Sequence, residues 1–144
     1  MDRSPEVISR LLLELAPWDA ADEADAAKIP FDSPHESRDL LTRMVREGKA
    51  TAHRFMWDGQ RCGVLVTRVE TGNMGRELVC MAMWGQTPDG EPMTAEIGRA
   101  CEALARAEGC VCLRFHTCRP AMARYACEQA GYRISEIICR KALP

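Results

Sequence analysis

Four residues of the types that bind metal ions or act as nucleophiles lie close together in the chain, at Cys110, Cys112, His116 and Cys118. Thiolates and imidazoles are the usual ligands of zinc. A strand advances about 3.3 Å per residue, so the outer two would lie about 26 Å apart, whereas ligands of one zinc ion lie within about 4 Å of each other. We therefore predict no metal site, and we expect most of the eight cysteines to act as small apolar residues.

Two alternatives for the sulfur chemistry stay open. One is a metal- or thiol-dependent module built on Cys110–Cys118, and the other is a reactive thiol at Cys118 or Cys127. No secretion signal precedes these residues in the sequence, so a disulfide framework is not expected.

Groups that could accept a proton from an amine are few. Glu77, Glu70 and His53 lie in or beside predicted strands and are the candidates for a general base. The simpler interpretation of each is a solvated residue at a strand end. The acidic stretch 19–25 could attract an amine, but it is also typical of an exposed connection between helices.

The elements that must position these residues are clearest in the second half of the chain. Apolar side chains follow the i, i+3, i+4, i+7 spacing of a helix with one buried face, at Ile97, Ala100, Cys101, Leu104 and Ala105. An extended run at 110–116, a helix that begins at Pro120 and ends at Gly131, and a final strand at 132–139 follow. A strand between two helices predicts a parallel crossover unit.

The first half predicts two helices and three strands. The helices have their apolar faces at Val7, Ile8, Leu11, Leu12 and Leu15, and at Leu40, Leu41, Met44 and Val45, the second with Ser33 or Ser37 as its cap. Asp58-Gly59 predicts a hairpin between strands 51–57 and 61–69, and 77–84 is a third, apolar strand. The predicted fold is α/β (α+β), in the order α-α-β-β-β-α-β-α-β, with a mixed central sheet covered by helices on both faces.

Length and composition limit the kinds of protein that this can be. The 144 residues suit one domain, 1–144, and a net charge of −2 argues against general nucleic-acid binding. No apolar run approaches the roughly 20 residues of a membrane span, and the N-terminus lacks the features of a signal peptide, so we predict a cytoplasmic protein. If strand 132–139 ends the sheet, its open edge could pair with a second copy, which predicts a homodimer. A different protein partner is also open.

Two runs carry a resemblance to a known family. EIGRACEALARAEGC (96–110) resembles the G-x-G-R-A helix and Gly-Cys close of the GCN5-related N-acetyltransferase superfamily, and CEQAGY (127–132) is similar to its Y-E-x-x-G-F run. The order of elements over 5–141 also resembles that of the family. The run CRPAMARY with its Gly-Tyr close is loosely similar to small prophage-encoded members.

The resemblance implies an acetyl-CoA site at the start of the long helix. In the family a (Gln/Arg)-x-x-Gly-x-(Gly/Ala) loop offers backbone N–H groups to the pyrophosphate. Here that motif falls on 93–98, where Met93 replaces Gln or Arg and Glu96 replaces the first glycine, so a carboxylate stands where the phosphates would lie. The implied cofactor-binding residues are Met83, Gly85, Gln86, Thr94, Ala95, Glu96, Ile97, Gly98 and Arg99.

The catalytic positions of the family also differ. The Tyr that protonates the leaving thiolate corresponds to Cys127, and Tyr125 lies two residues earlier, roughly 200° around the helix. An Asn that often contacts the cofactor corresponds to Pro120 or its neighbour. With Glu77 as the implied base, the candidate catalytic set is Glu77, Tyr125 and Cys127.

These departures favour a divergent, non-catalytic protein with a binding or structural role and no ordinary acetyl-CoA binding. The alternative is an active N-acetyltransferase for a small or protein amine. It would use acetyl-CoA through an atypical phosphate loop at 85–90, anchored by Gln86 and Gly90.

Overall fold

The computed structural model describes residues 10–30, 38–117 and 119–144. In chain order the elements are β1 (Leu11–Leu15), α1 (Ala20–Ala26), α2 (Arg38–Arg46), β2 (Thr51–Trp57), β3 (Gln60–Gly72), β4 (Gly75–Gly85), α3 (Thr94–Ala107), β5 (Cys112–Phe115) and α4 (Pro120–Gln129). No helix in these ranges is long and apolar enough to cross a membrane.

The strands form one mixed sheet in sequence order. β1 to β4 pair antiparallel, and β5 pairs with β4 in parallel. The parallel pair follows from the connection, because α3 carries the chain back to the edge at which β4 began. The predicted fold class, a mixed central sheet with helices on both faces, is confirmed.

The Asp58-Gly59 turn joins β2 and β3 as predicted. Both residues have positive φ, 47° and 80°, and Trp57 pairs with Gln60 across the turn. Positive φ at both central residues is the geometry of a tight hairpin whose twist matches that of its strands.

The two faces of the sheet have different cores. On the α3 face, the α3 side chains Ile97 and Cys101 pack with Phe55, Leu65 and other strand residues. On the α1 face, Ala26 of α1 and Leu41 of α2 pack with small and branched side chains of β2, β3 and β4. The helix predicted from Leu40, Leu41, Met44 and Val45 is confirmed as α2, while its predicted caps, Ser33 and Ser37, lie outside the described residues.

The predicted N-terminal helix is wrong where the structure describes it. Residues 11–15 form β1, which pairs antiparallel with β2, and Val7 and Ile8 lie outside the described residues. Leu11 and Leu13 pack on the α3 face, while Leu12 is exposed. A run of leucines satisfies a helical pattern and a strand pattern equally, and the free edge of β2 selects the strand.

The acidic stretch was predicted to be an exposed connection, and this is also wrong. Asp19 caps α1 by accepting from the N–H groups of Ala21 and Asp22, and the Asp22 carboxylate accepts in return from the Asp19 N–H. This reciprocal capping gives a short acidic helix a defined start. Asp22 is fully buried.

The final strand predicted at 132–139 is not formed. Residues 131–144 contain neither helix nor strand, so β5, with four residues, is the last strand of the sheet. The apolar pattern of this segment was real, but a strand needs a neighbour with which to pair, and the sequence does not show whether one is available. The observed order of elements is therefore β-α-α-β-β-β-α-β-α.

Candidate functional site: the start of α3

The end of β4 meets the start of α3 in a close contact. A Cβ built on Gly85 would lie 2.8 Å from the Met93 Cε and 3.0 Å from the Phe55 ring, so this position favours glycine. Met93 is 1% exposed, and its sulfur lies 3.7 Å from the Cys62 thiol. The structure thus brings Gly85 next to the first turn of α3, as the predicted cofactor site requires, with a buried thioether between them.

Met93 is the N-cap residue of α3, and no side chain caps this helix. Its carbonyl accepts from the Ile97 N–H at 2.9 Å, which closes the first helical turn. The N–H groups of a first turn have no partner within the helix, and they carry the positive end of the helix dipole. The backbone at this point can therefore attract an anion, although Met93 itself offers a phosphate nothing polar.

Glu96 supplies the negative charge at this helix start. Its side chain is 34% exposed, and its nearest cation is the Arg99 guanidinium at 3.7 Å, on a side chain that is 71% exposed. An exposed i,i+3 pair of this length is weak. The Arg99 contact therefore offsets little of the negative charge of Glu96 beside the uncapped turn, and this charge repels an incoming anion.

The remaining predicted cofactor residues of α3 point in different directions. Ile97 is buried in the core of the α3 face, so its side chain cannot contact a ligand. Gly98 lies in open space, because a Cβ built there would meet no atom within 4 Å. Thr94 is half-buried and Ala95 is exposed. On β4, Met83 lies two residues before Gly85 and packs against the core.

The loop that leaves β4 is closed on itself. The Gln86 N–H donates to the Cys62 carbonyl at 3.0 Å, that of Thr87 to Glu91 at 3.1 Å and that of Gly90 to Thr87 at 2.9 Å. The Glu91 N–H donates to the Thr87 hydroxyl at 2.8 Å, and the Gln86 amide donates to the Gly90 carbonyl at 3.1 Å. These backbone donors already have acceptors, so the loop at 85–90 does not form an open phosphate cradle.

Glu77 lies at the opposite end of β4 from this site. Eight residues separate it from Gly85, which corresponds to about 26 Å of strand. Its carboxylate contacts the Arg114 guanidinium at 2.8 Å and accepts from the Cys112 thiol at 2.9 Å. The hydrogen bond to Glu77 raises the pKa of the Cys112 thiol. The structure does not bring Glu77 together with the start of α3.

The other two candidate bases, Glu70 and His53, lie on β3 and β2. Glu70 pairs with Glu77 across the β3–β4 hairpin and contacts Arg114 at 2.9 Å. His53 lies between β1 and β3 and is 9% exposed; its Nδ1 has no hydrogen-bond partner, and burial lowers its pKa. A buried neutral imidazole with no aligned partner is not arranged as a general base.

The candidate residues of α4 stand on different sides of the helix. Tyr125 is half-buried and Cys127 is exposed, with buried Ala126 between them. The end of α4 is tied to β5, because the Tyr132 ring packs edge-on against Phe115 at 5.1 Å. Burial also raises the pKa of the Tyr132 phenol. The implied catalytic acid is a tyrosine at position 127. The chain has a thiol at that position, and its nearest phenol, Tyr125, lies on a different side of the helix.

Of the seven cysteines in the described residues, Cys62, Cys80 and Cys101 are buried, Cys110 is half-buried, and Cys112, Cys127 and Cys139 are exposed, so the prediction that most cysteines are small apolar core residues holds for three of the seven. Cys80 and Cys101 face each other across β4 and α3 with their sulfurs 3.8 Å apart, and both are buried. Within 10–30, 38–117 and 119–144, no three His, Cys, Asp or Glu residues are grouped so that they could hold a metal ion. Cys118, which completes the pattern from Cys110, lies outside the described residues.

Sequence reasoning missed one buried polar cluster on the α1 face. The Asp22 carboxylate lies 2.7 Å from Arg61 and 3.3 Å from Arg54. Burial alone raises the pKa of Asp22, but the two guanidinium groups and the Asp19 N–H together hold it below its ordinary value. The spacing of Asp19 and Asp22 was the available signal in the sequence, because two such residues three positions apart can cap the start of a helix.

No family profile and no curated protein sequence matches the chain. Solved structures do. The fold is similar to an aminoglycoside acetyltransferase from an uncultured soil metagenomic sample, with TM-score 0.63, 10% identity, and 96% and 100% of the two chains covered. A ribosomal-protein-alanine N-acetyltransferase from Brucella melitensis biovar Abortus 2308 gives TM-score 0.60, 17% identity and 91% and 99% coverage. An acetyltransferase from Trypanosoma brucei gives TM-score 0.53 and 18% identity, with 92% of this chain and 99% of that chain covered.

Proposed function

We propose that this chain, whose fold is that of the GCN5-related N-acetyltransferases, is a non-catalytic member of that fold with a binding or structural role. One observation carries the proposal. The start of α3, where such a fold would receive a pyrophosphate, presents the Glu96 carboxylate beside an uncapped turn and a buried Met93 in place of a polar anchor. These residues do not fit acetyl-CoA.

Two further features point the same way. In the loop at 85–90 the N–H groups of Gln86, Thr87 and Gly90 already donate to carbonyl groups, so the loop does not replace the missing glycine of the phosphate site. The candidate acid and base are separated, since Glu77 is held by Arg114 at the far end of β4, and Cys127 stands where a phenol would be needed. The sequence similarity of the stretch from 118 to 132 to prophage-encoded proteins stays a prediction and identifies no partner.

Calorimetric titration with acetyl-CoA tests the proposal. We expect no binding by the natural chain, and we expect Glu96→Gly, which removes the carboxylate and restores the glycine, to gain measurable affinity. Glu102→Gln is the matched control. It removes a charge from the same helix, where Glu102 pairs with Arg106 at 3.7 Å one turn or more from the site, and it should leave acetyl-CoA binding absent.

The outcomes separate clearly. Micromolar binding by the natural chain would overturn the proposal. Binding by Glu96→Gly alone would identify the carboxylate as the disabling group. If neither binds, more than one contact for acetyl-CoA is missing, and the proposal of a non-catalytic protein stands.

An active N-acetyltransferase is the second candidate, and Gly98 favours it. Glycine in the interior of a helix costs about 1 kcal/mol relative to alanine, yet no neighbouring atom requires it here. A backbone left bare for the approach of a ligand would explain it. The similar structures act on an aminoglycoside and on a ribosomal-protein alanine, which suggests a small or a protein amine as acceptor for this candidate. Wild-type binding of acetyl-CoA in the titration would select it.

A further inference from the structure

Two buried thiols meet between β4 and α3 in a contact that the proposed function does not use. Cys80 of β4 is 6% exposed and Cys101 of α3 is 2% exposed, and both are free cysteines. Their sulfurs lie 3.8 Å apart, and a disulfide bond is about 2.05 Å long, so the sulfurs need to approach each other by only about 1.8 Å. A movement of this size is on the scale of side-chain rotation and does not require a change of fold.

The hydrogen bond between the two thiols makes one of them the better nucleophile. The Cys80 thiol donates to the Cys101 sulfur, and this bond lowers the pKa of the Cys101 thiol, although burial acts in the opposite direction. The same bond and burial both raise the pKa of the Cys80 thiol. A thiolate is the form of cysteine that attacks an oxidant. Cys101 is therefore placed to react first, with Cys80 in contact to react second.

We propose that Cys80 and Cys101 form a two-electron redox site, in which hydrogen peroxide converts the two thiols into a disulfide that joins β4 to α3. The Cys101 thiolate attacks the peroxide, so that an S–O bond forms, the O–O bond breaks, and the hydroxide that leaves takes up the proton released by Cys101. The Cys80 sulfur then attacks the Cys101 sulfenic acid, which forms the S–S bond, breaks the S–O bond and releases a second water with the proton of Cys80. The two thiols lose two electrons, and the peroxide becomes two molecules of water.

The burial of the pair selects a small oxidant. Hydrogen peroxide is close to a water molecule in size, and local opening of a native protein gives such molecules transient access to buried groups. The exposed Cys112 is accessible, but its thiol donates to the Glu77 carboxylate at 2.9 Å, which raises the pKa of this thiol and disfavours its thiolate. Contact with a second thiol, rather than exposure, therefore distinguishes the pair.

The disulfide would close a covalent ring around the start of α3. The enclosed chain, from 80 to 101, contains the end of β4, the loop at 85–90 and both Met93 and Glu96. Cys101 lies about two helical turns after the first residue of α3, so the cross-link would hold this part of the helix to the sheet. The inference is independent of acetyl-CoA binding, because neither cysteine belongs to the first turn of α3.

Peptide mapping of the natural chain after treatment with hydrogen peroxide tests the site directly. Trypsin cleaves after Arg76, Arg99 and Arg106. After the remaining free thiols are blocked with iodoacetamide, the two cysteines therefore fall in separate peptides, 77–99 and 100–106, with one cysteine each. We expect these peptides to be linked, lighter by two hydrogen atoms than the free pair, and to separate with dithiothreitol. Closing a loop of about 20 residues should also raise the Tm by about 5 °C or more above that of the reduced chain.

Cys101→Ala tests the origin of the Tm shift, and Cys62→Ala is its matched control. Cys101→Ala removes the first nucleophile, so peroxide should no longer raise the Tm. Cys62 is also buried, but its sulfur lies 3.7 Å from the Met93 thioether, which cannot form a disulfide. Cys62→Ala should therefore keep both the linked peptides and the rise in Tm.

The mapping uses the natural chain, so it decides the question even where a variant fails to fold. Peptides that stay unlinked in a folded, peroxide-treated chain would overturn the proposal. A link that leaves the Tm unchanged, or a rise in Tm that Cys101→Ala retains, would overturn it as well.

Discussion

The two faces of the sheet are held by different chemistry. On the α1 face, the fully buried Asp22 lies 2.7 Å from Arg61 and 3.3 Å from Arg54 and joins α1 to β2 and β3. On the α3 face, the helix and the sheet meet in two sulfur contacts, Met93 3.7 Å from Cys62 and Cys101 3.8 Å from Cys80. Charged contacts are directional, whereas thioethers and thiols adapt to the space around them.

The difference suggests why the residues at the start of α3 can depart so far from the acetyltransferase pattern that the sequence resembles. A side chain such as Met93 fills an irregular gap between β4 and α3 without needing a polar partner. The α3 face can therefore pack with an apolar side chain at position 93 and needs no polar residue there. The α1 face should be less tolerant, because the Asp22 carboxylate is buried and is shared by two guanidinium groups.

The largest expected effect is that of Asp22→Asn. It keeps the shape of the side chain but removes the buried carboxylate that Arg54 and Arg61 share, which leaves them only Asp19 and Asp25, each at 3.1 Å. We expect a loss of about 3 kcal/mol in the free energy of unfolding, the low end for a broken buried ion pair. The low end applies because the two arginine side chains are 22% and 23% exposed. Urea unfolding measures it. Glu23→Gln, which breaks the exposed pair of the same helix with Arg46, should cost less than about 1 kcal/mol.

The same residue gives a pH dependence. The folded-state pKa of Asp22 lies below its unfolded value, so its contribution to stability is present above the unfolded pKa of about 3.9 and is lost as the pH falls through the lower folded value. Asp22→Asn should lack this component of the acid transition. Equal losses for Asp22→Asn and Glu23→Gln would break the contrast between buried and exposed charges.

A smaller effect is expected for Met93→Ala on the α3 face. Met93 is buried, and we expect a loss of about 2 kcal/mol, the low end for a buried methionine, because its soft neighbours can partly close the gap. Met74→Ala is the control, since Met74 is 93% exposed and its truncation should change the free energy of unfolding by less than about 0.5 kcal/mol. A loss for Met93→Ala greater than that for Asp22→Asn would reverse the comparison of the two faces.

The smallest expected effect is a gain. Gly98→Ala should stabilise the chain by about 0.5–1 kcal/mol, because a Cβ at this helical position meets no atom within 4 Å. Thermal unfolding measures it. Gly85→Ala is the matched control and should destabilise, because its Cβ would lie 2.8 Å from Met93 and 3.0 Å from Phe55. A destabilising Gly98→Ala would show that the backbone at the start of α3 needs the glycine for its own conformation.

Much of the fold was predictable because it rests on local signals. The Asp58-Gly59 turn, the apolar spacing of α3 and the start of α4 at Pro120 are fixed by residues near one another in the chain, and all three are observed. The two ends were not predictable in this way. Residues 11–15 and 132–139 carry apolar patterns that suit more than one conformation, and their state depends on whether an edge strand elsewhere accepts them.

In the candidate site, too, some features follow from the local sequence and others depend on residues distant in the chain. The sequence alone determined which residues stand at the start of α3, including a carboxylate at 96 and a methionine at 93, because the register of an amphipathic helix follows from its spacing. Only the tertiary structure decided that Met93 is buried against Gly85, that the loop at 85–90 uses its own donors, that Glu77 lies far from both and that Asp22 is a core residue. The physical reason is that burial and hydrogen-bond partners are properties of residues distant in the chain, and a spacing pattern carries no information about them.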